Sequence, residues 1–158
     1  MTTSELLQEI TASRDCGNVY LTIYEKSIDF EWESSVLEHL QTTCIPADNF
    51  KASLTRIGTS KLARDILTEL LHHDLAYGTE IIPRGKASSL AGAFISLFSE
   101  QAVYFSNSTW NKNEYCEATK YFELGQTSWT SFTEATFDSG LIVCDTDKIG
   151  IAWFADED

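Results

Sequence analysis

The segment TSKLARDILTELLHHDLAY, residues 59–77, places Leu62, Ile66, Leu67, Leu70 and Leu71 along one stripe of a helix, and such a stripe must be buried against another layer. Thr59 or Ser60 stands where a cap is needed and Gly78 lies just past the end. His72 and His73 fall in the last turn, where a cation suits the helix dipole.

The flanking sequence supplies the other layers. MTTSELLQEI reads as an amphipathic helix with Ser4 as its cap, interrupted at Cys16-Gly17-Asn18 and followed by the β-forming run VYLTIY. SIDFEWE, residues 27–33, alternates Ile28, Phe30 and Trp32 with Asp29, Glu31 and Glu33, so it predicts a second strand and a hairpin around Glu25-Lys26. Val36, Leu37 and Leu40 then predict a helix that starts at the serine pair and ends before Pro46.

KASSLAGAFISLF is apolar or small on nearly every side, and at about a dozen residues it is too short for a bilayer that needs roughly 20. It predicts a buried central helix, with Ser88, Gly92 and Ser96 offering a face for close approach. AVYFS, TKYFEL and SWTSFT carry strand formers, and GLIVC and IGIAWF flank Asp145-Thr146-Asp147-Lys148 as a final hairpin. The order is an N-terminal helix and β-hairpin, a helical middle and a C-terminal antiparallel β-sheet: an α+β class, within one domain spanning 1–158.

Charge limits the partners. With 11 Lys and Arg against 24 Asp and Glu the net charge is −13, a field that repels nucleic acid and anionic membranes and favours a basic protein. Residues 1–50 hold 9 acids and 2 bases, and residues 111–158 hold 10 and 3, so two acidic ends flank a near-neutral middle. Cys16, Cys44, Cys116 and Cys144 form no C-x-x-C pair and follow no export signal, so reduced thiols and a cytoplasmic location are expected.

Catalytic motifs fail on spacing. In GTEIIPRGKAS six residues separate the glycines and Ala87 follows Lys86, where a phosphate loop needs four and a Ser or Thr. The adjacent His72 and His73 point about 100° apart on a helix, which does not suit one metal ion. No cofactor or metal is expected, and no catalytic residue is assigned.

What remains is the acidic row. On a strand, Asp29, Glu31 and Glu33 would project from one face about 6.7 Å apart. With Asp145 and Asp147 in the last turn and Asp156, Glu157 and Asp158 at the tail, they would form a docking face. Trp110, in SNSTWNKNEY, which reads as a polar loop, and Trp129, in QTSWTSF, are the expected aromatic anchors. By size, acidity and lack of a catalytic motif the chain is similar in type to the small bacterial immunity and inhibitor proteins that neutralise basic toxin domains, often nucleases. That similarity implies a toxin-neutralising inhibitor. Two other readings stand beside it: a small enzyme whose site joins distant carboxylates, cysteines and histidines, and a scaffold or oligomeric subunit pairing through Ser88, Gly92 and Ser96.

Overall fold

A computed structural model describes residues 1–27, 31–40, 47–116 and 121–157. Helix α1 (Thr3–Ser13) leads into strand β1 (Asn18–Glu25), followed by helix α2 (Trp32–His39), a short helix α3 (Ala47–Phe50) and strand β2 (Thr55–Ile57). Helices α4 (Ser60–His72) and α5 (Arg84–Ile95) form the middle. Strands β3 (Val103–Ser106), β4 (Ser108–Cys116), β5 (Tyr121–Trp129), β6 (Phe137–Cys144) and β7 (Lys148–Asp156) complete an α+β fold.

The described strands make a five-stranded antiparallel sheet in the order β1-β7-β6-β3-β2 and a separate two-stranded ribbon, β4-β5. The apolar run of β7 lies inside the sheet, paired with β1 on one side and β6 on the other, and a core packs on each of its faces. Side-chain alternation sorts those faces. Ala152 and Phe154, with Leu141 and Val143 of β6, join Leu6, Ile10, Ile66, Leu70 and Phe94 in a core under α1, α4 and α5. Ile149, Ile151 and Trp153, with Ile142, face the opposite way and pack with Val36, Leu40, Phe50 and Phe132. Trp153 and Phe132 stack with ring centroids 5.0 Å apart.

The predicted stripe of α4 is buried, and Thr59 is its cap, its hydroxyl accepting the Leu62 N–H at 3.0 Å. The cap of α1 is Thr2 and not Ser4: Thr2 Oγ1 accepts the Glu5 N–H, and the Glu5 carboxylate accepts the Thr2 N–H at 2.6 Å, a reciprocal box. The expected 140–144 and 149–154 hairpin is β6-β7, its turn closed by the Asp145 N–H donating to the Lys148 carbonyl.

Three expectations change. The arm 19–24 is β1, laddered on one side to β7; residues 28–30 of the expected second arm lie outside the described residues, and by Trp32 helix α2 has begun, so Glu31 and Glu33 sit at a helix start and not on a strand. Helix α5 buries Ala87, Leu90, Ala91 and Phe94 while Lys86, Ser89 and Ala93 are exposed, so it is half-buried and not central. Its small face receives a side chain, not another element: Arg64 of α4 donates to Ser88 Oγ at 3.1 Å and passes over Gly92, where a Cβ would stand 3.1 Å from Arg64 Nε.

Candidate functional site

The end of β1, the first turns of α2 and the start of β7 converge on a cleft of about 210 Å³. Tyr24, Trp32 and Ile149 supply its apolar wall, Ser34 and Ser35 its polar one, and Glu25, Lys26 and Glu38 its charges. Helix α2 forms here because Trp32, Val36 and Leu40 fall at four-residue intervals, a stripe that packs on the sheet's second face.

Each aromatic wall is fixed by a neighbour. Trp32 stacks on Phe105, with centroids 5.4 Å apart and planes at 25°. The Tyr24 hydroxyl accepts from Ser35 Oγ at 2.8 Å, and its ring lies 4.2 Å from that of His39. Burial pushes the Tyr24 phenol up, against the smaller lowering effect of the Ser35 hydrogen bond, so the ring stays neutral at physiological pH.

The carboxylates predicted for docking divide between surface and interior. Glu31 caps α2 without a side-chain hydrogen bond and is exposed. Glu33, in the first turn, lies 3.6 Å from the ammonium of Lys51. Asp147 is exposed, and its carbonyl accepts the Lys26 N–H at 2.9 Å, which puts it at the cleft's end of the sheet. Asp29 and Asp158 lie outside the described residues.

Asp145 and Asp156 are corrections, because both are buried and serve the fold. Asp145 accepts the backbone N–H of Ser99 at 2.7 Å and its hydroxyl at 2.5 Å, tying the last turn to the loop after α5. Asp156 takes both prongs of the Arg14 guanidinium, at 2.9 and 2.7 Å, and the Leu75 N–H. Neither carboxylate is presented to a partner. Glu157 is exposed at the far end of β7, where it accepts the Thr136 hydroxyl. Among the described residues, Glu31, Asp147 and Glu157 are exposed and Asp145 and Asp156 are buried.

The aromatic anchors also move. Trp110 belongs to β4, not to a loop; its indole N–H donates to Ser106 Oγ at 3.3 Å and its ring packs half-buried against the three-helix core. Trp129 ends β5, opposite Ser108. Trp110 lines a cleft with Leu124 between the ribbon and α4, and Trp32, on the apolar side of the alternation, lines the α2 cleft beside Tyr24.

Burial pushes the Cys144 thiol up to about 11, against the direction a nucleophilic cysteine requires. Asp138 is buried, and its oxygens accept the N–H groups of Phe132 and Thr133 and the Asn107 amide. The His72 ring meets the Ile82 carbonyl at 2.7 Å and lies 3.9 Å from His73, because His73 leaves the helix in an extended conformation. Among the described residues no group of three His, Cys, Asp or Glu is placed to hold a metal, and no helix is long and apolar enough to cross a membrane. No protein-family model, curated protein or solved structure matches this chain.

Proposed function

We propose that this chain is a protein-binding inhibitor of the immunity-protein type, docking a basic partner at the cleft between β1 and α2. The observation that carries this reading is the pairing of Tyr24 and Trp32 walls with Glu25 and Glu38 in one small cleft. A Lys or Arg side chain entering it meets aromatic faces and carboxylates together, the combination that favours a cation. Among the described residues Lys26 is the one base in the lining, and Glu31 and Asp147 add exposed negative charge nearby. The net charge of −13 steers a basic toxin domain toward the molecule, and the cleft supplies the specific contact.

The test is capture of partners from source-cell lysate on the immobilised chain at low ionic strength, followed by stepped salt. A basic protein that binds wild type, elutes as salt rises and is lost on the Glu25→Lys, Glu38→Lys double variant supports the assignment. Its association rate with the double variant should fall roughly tenfold or more. Exposed Glu100→Lys is the control and retains the partner. Equal capture by wild type and double variant, or capture of no basic protein, overturns the reading.

A further inference from the structure

The geometry points to β1 as a pairing edge for a second copy of this chain. Strand β1 ends the sheet order, and all eight of its residues pair with β7 without a register shift. Among the described residues, no backbone pairs with its outer side.

Edge strands of proteins that stay apart are kept short, bulged, interrupted by proline or charged. The opposite edge follows that rule: β2 has three residues with exposed Arg56 at its centre. Strand β1 does not. NVYLTIYE contains no proline, glycine or bulge, and Glu25 at its end is its sole charge. Val19, Leu21 and Ile23 face the three-helix core yet are only partly buried, as are Tyr20 and Tyr24 on the other face.

The strand is complementary to itself. A dyad perpendicular to the sheet joins two β1 edges antiparallel and keeps each face on its own side, so residues opposite one another must share parity. With the dyad through Thr22, Tyr20 lies opposite the copy's Tyr24 and Leu21 opposite its Ile23. Aromatic pairs form on one face and aliphatic pairs on the other. Val19 lies opposite Glu25, so the two carboxylates stand at opposite ends of the junction. A dyad through Leu21 would instead set Tyr20 against Thr22 and lose the aromatic pairs. Two five-stranded sheets thereby become one continuous sheet of ten.

Each copy carries −13, so long-range repulsion opposes this pairing and salt strengthens it. A basic partner behaves in the opposite way, which separates the two proposals experimentally.

Sedimentation velocity of the full chain from micromolar to submillimolar concentration, at low and high salt, tests the inference. Wild type is expected to shift toward twice the monomer mass as concentration and salt rise. Thr22→Lys sets two ammonium groups against each other at the dyad and should weaken the dimer about fivefold or more, while Thr22→Val preserves it. Hydrogen exchange on wild type needs no variant: amides of residues 18–25 should gain protection as the dimer forms. A monomer at every concentration and salt, a dimer indifferent to Thr22→Lys, or a dimer without new protection in residues 18–25 overturns the proposal.

Discussion

Arg14 and Asp156, 142 positions apart, meet in a two-pronged ion pair with side chains 0% and 4% exposed, joining the end of α1 to the end of β7. Arg14 Nε also donates to the Leu70 carbonyl at 2.7 Å, so the same guanidinium holds the end of α4. Three elements share one cation.

Removing the carboxylate should therefore be severe. Asp156→Ala is expected to cost about 3–5 kcal/mol by urea unfolding, because it leaves a buried guanidinium without its counter-charge. Burial pushes the Asp156 carboxyl up, but the Arg14 hydrogen bonds and charge and the Leu75 N–H outweigh it and hold it below the ordinary 3.8. The stability it lends is complete above that unfolded value and is lost as pH falls through the lower folded one. The gap between wild type and Asp156→Asn should accordingly narrow in acid titrations below pH 3.8.

Asp138 has the opposite pH sense. Burial raises its carboxyl above 3.8 despite the hydrogen bonds from Thr133 and Phe132 that lower it. Its contribution is complete below the unfolded value and declines as pH rises through the raised folded one. Asp138→Ala strands the Phe132 and Thr133 N–H groups, while the Asn107 amide keeps the Thr130 and residue-138 carbonyls, and should cost roughly 3 kcal/mol in chemical denaturation. Exposed Asp147→Ala should stay within about 0.5 kcal/mol of wild type.

Two glycines separate close packing from open space. A Cβ at Gly140 would stand 2.2 Å from the Ala152 carbonyl oxygen and 2.7 Å from Trp153 Cα, backbone atoms that cannot swing aside. Gly140→Ala is expected to lower stability by about 1–3 kcal/mol. At Gly85, in the first turn of α5, a Cβ meets nothing within 4 Å, so Gly85→Ala should raise stability by about 0.5 kcal/mol. Thermal unfolding of the two variants should move in opposite directions.

Cys144 should be inert in the native protein. Its thiol is raised from 9.0 to about 11, which cuts the thiolate fraction near neutral pH roughly a hundredfold. Iodoacetamide labelling followed by peptide mass spectrometry should find Cys144 unmodified under native conditions and fully labelled after unfolding. Rapid native labelling of Cys144 would revive a nucleophilic role.

The sequence was legible wherever a pattern belonged to one element alone. The α4 stripe, its Thr59 cap and the β6-β7 hairpin follow from local periodicity. Trp32 shows how this fails: it ends the alternation Ile28, Phe30, Trp32 and also starts the helical series Trp32, Val36, Leu40, and packing on the sheet selected the helix. Strand β4 read as a loop because the ribbon meets the core through Trp110 alone on this strand's described side chains, too few apolar positions beside Asn111 and its polar neighbours to mark an alternation. The interior roles of Asp145 and Asp156 depend on Ser99 and Arg14, 46 and 142 positions away, and no local pattern carries that information.

The place of β7 between β1 and β6 also orders events in time. Strand β1 leaves the ribosome well before β7, the partner that completes its ladder. Until then its apolar face waits without a mate, and closure of the sheet is a long-range, entropically slow step. Synthesis that stalls before Lys148 should leave an aggregation-prone chain for chaperones to hold, whereas passage beyond Asp156 lets both halves of the sheet assemble in one cooperative event.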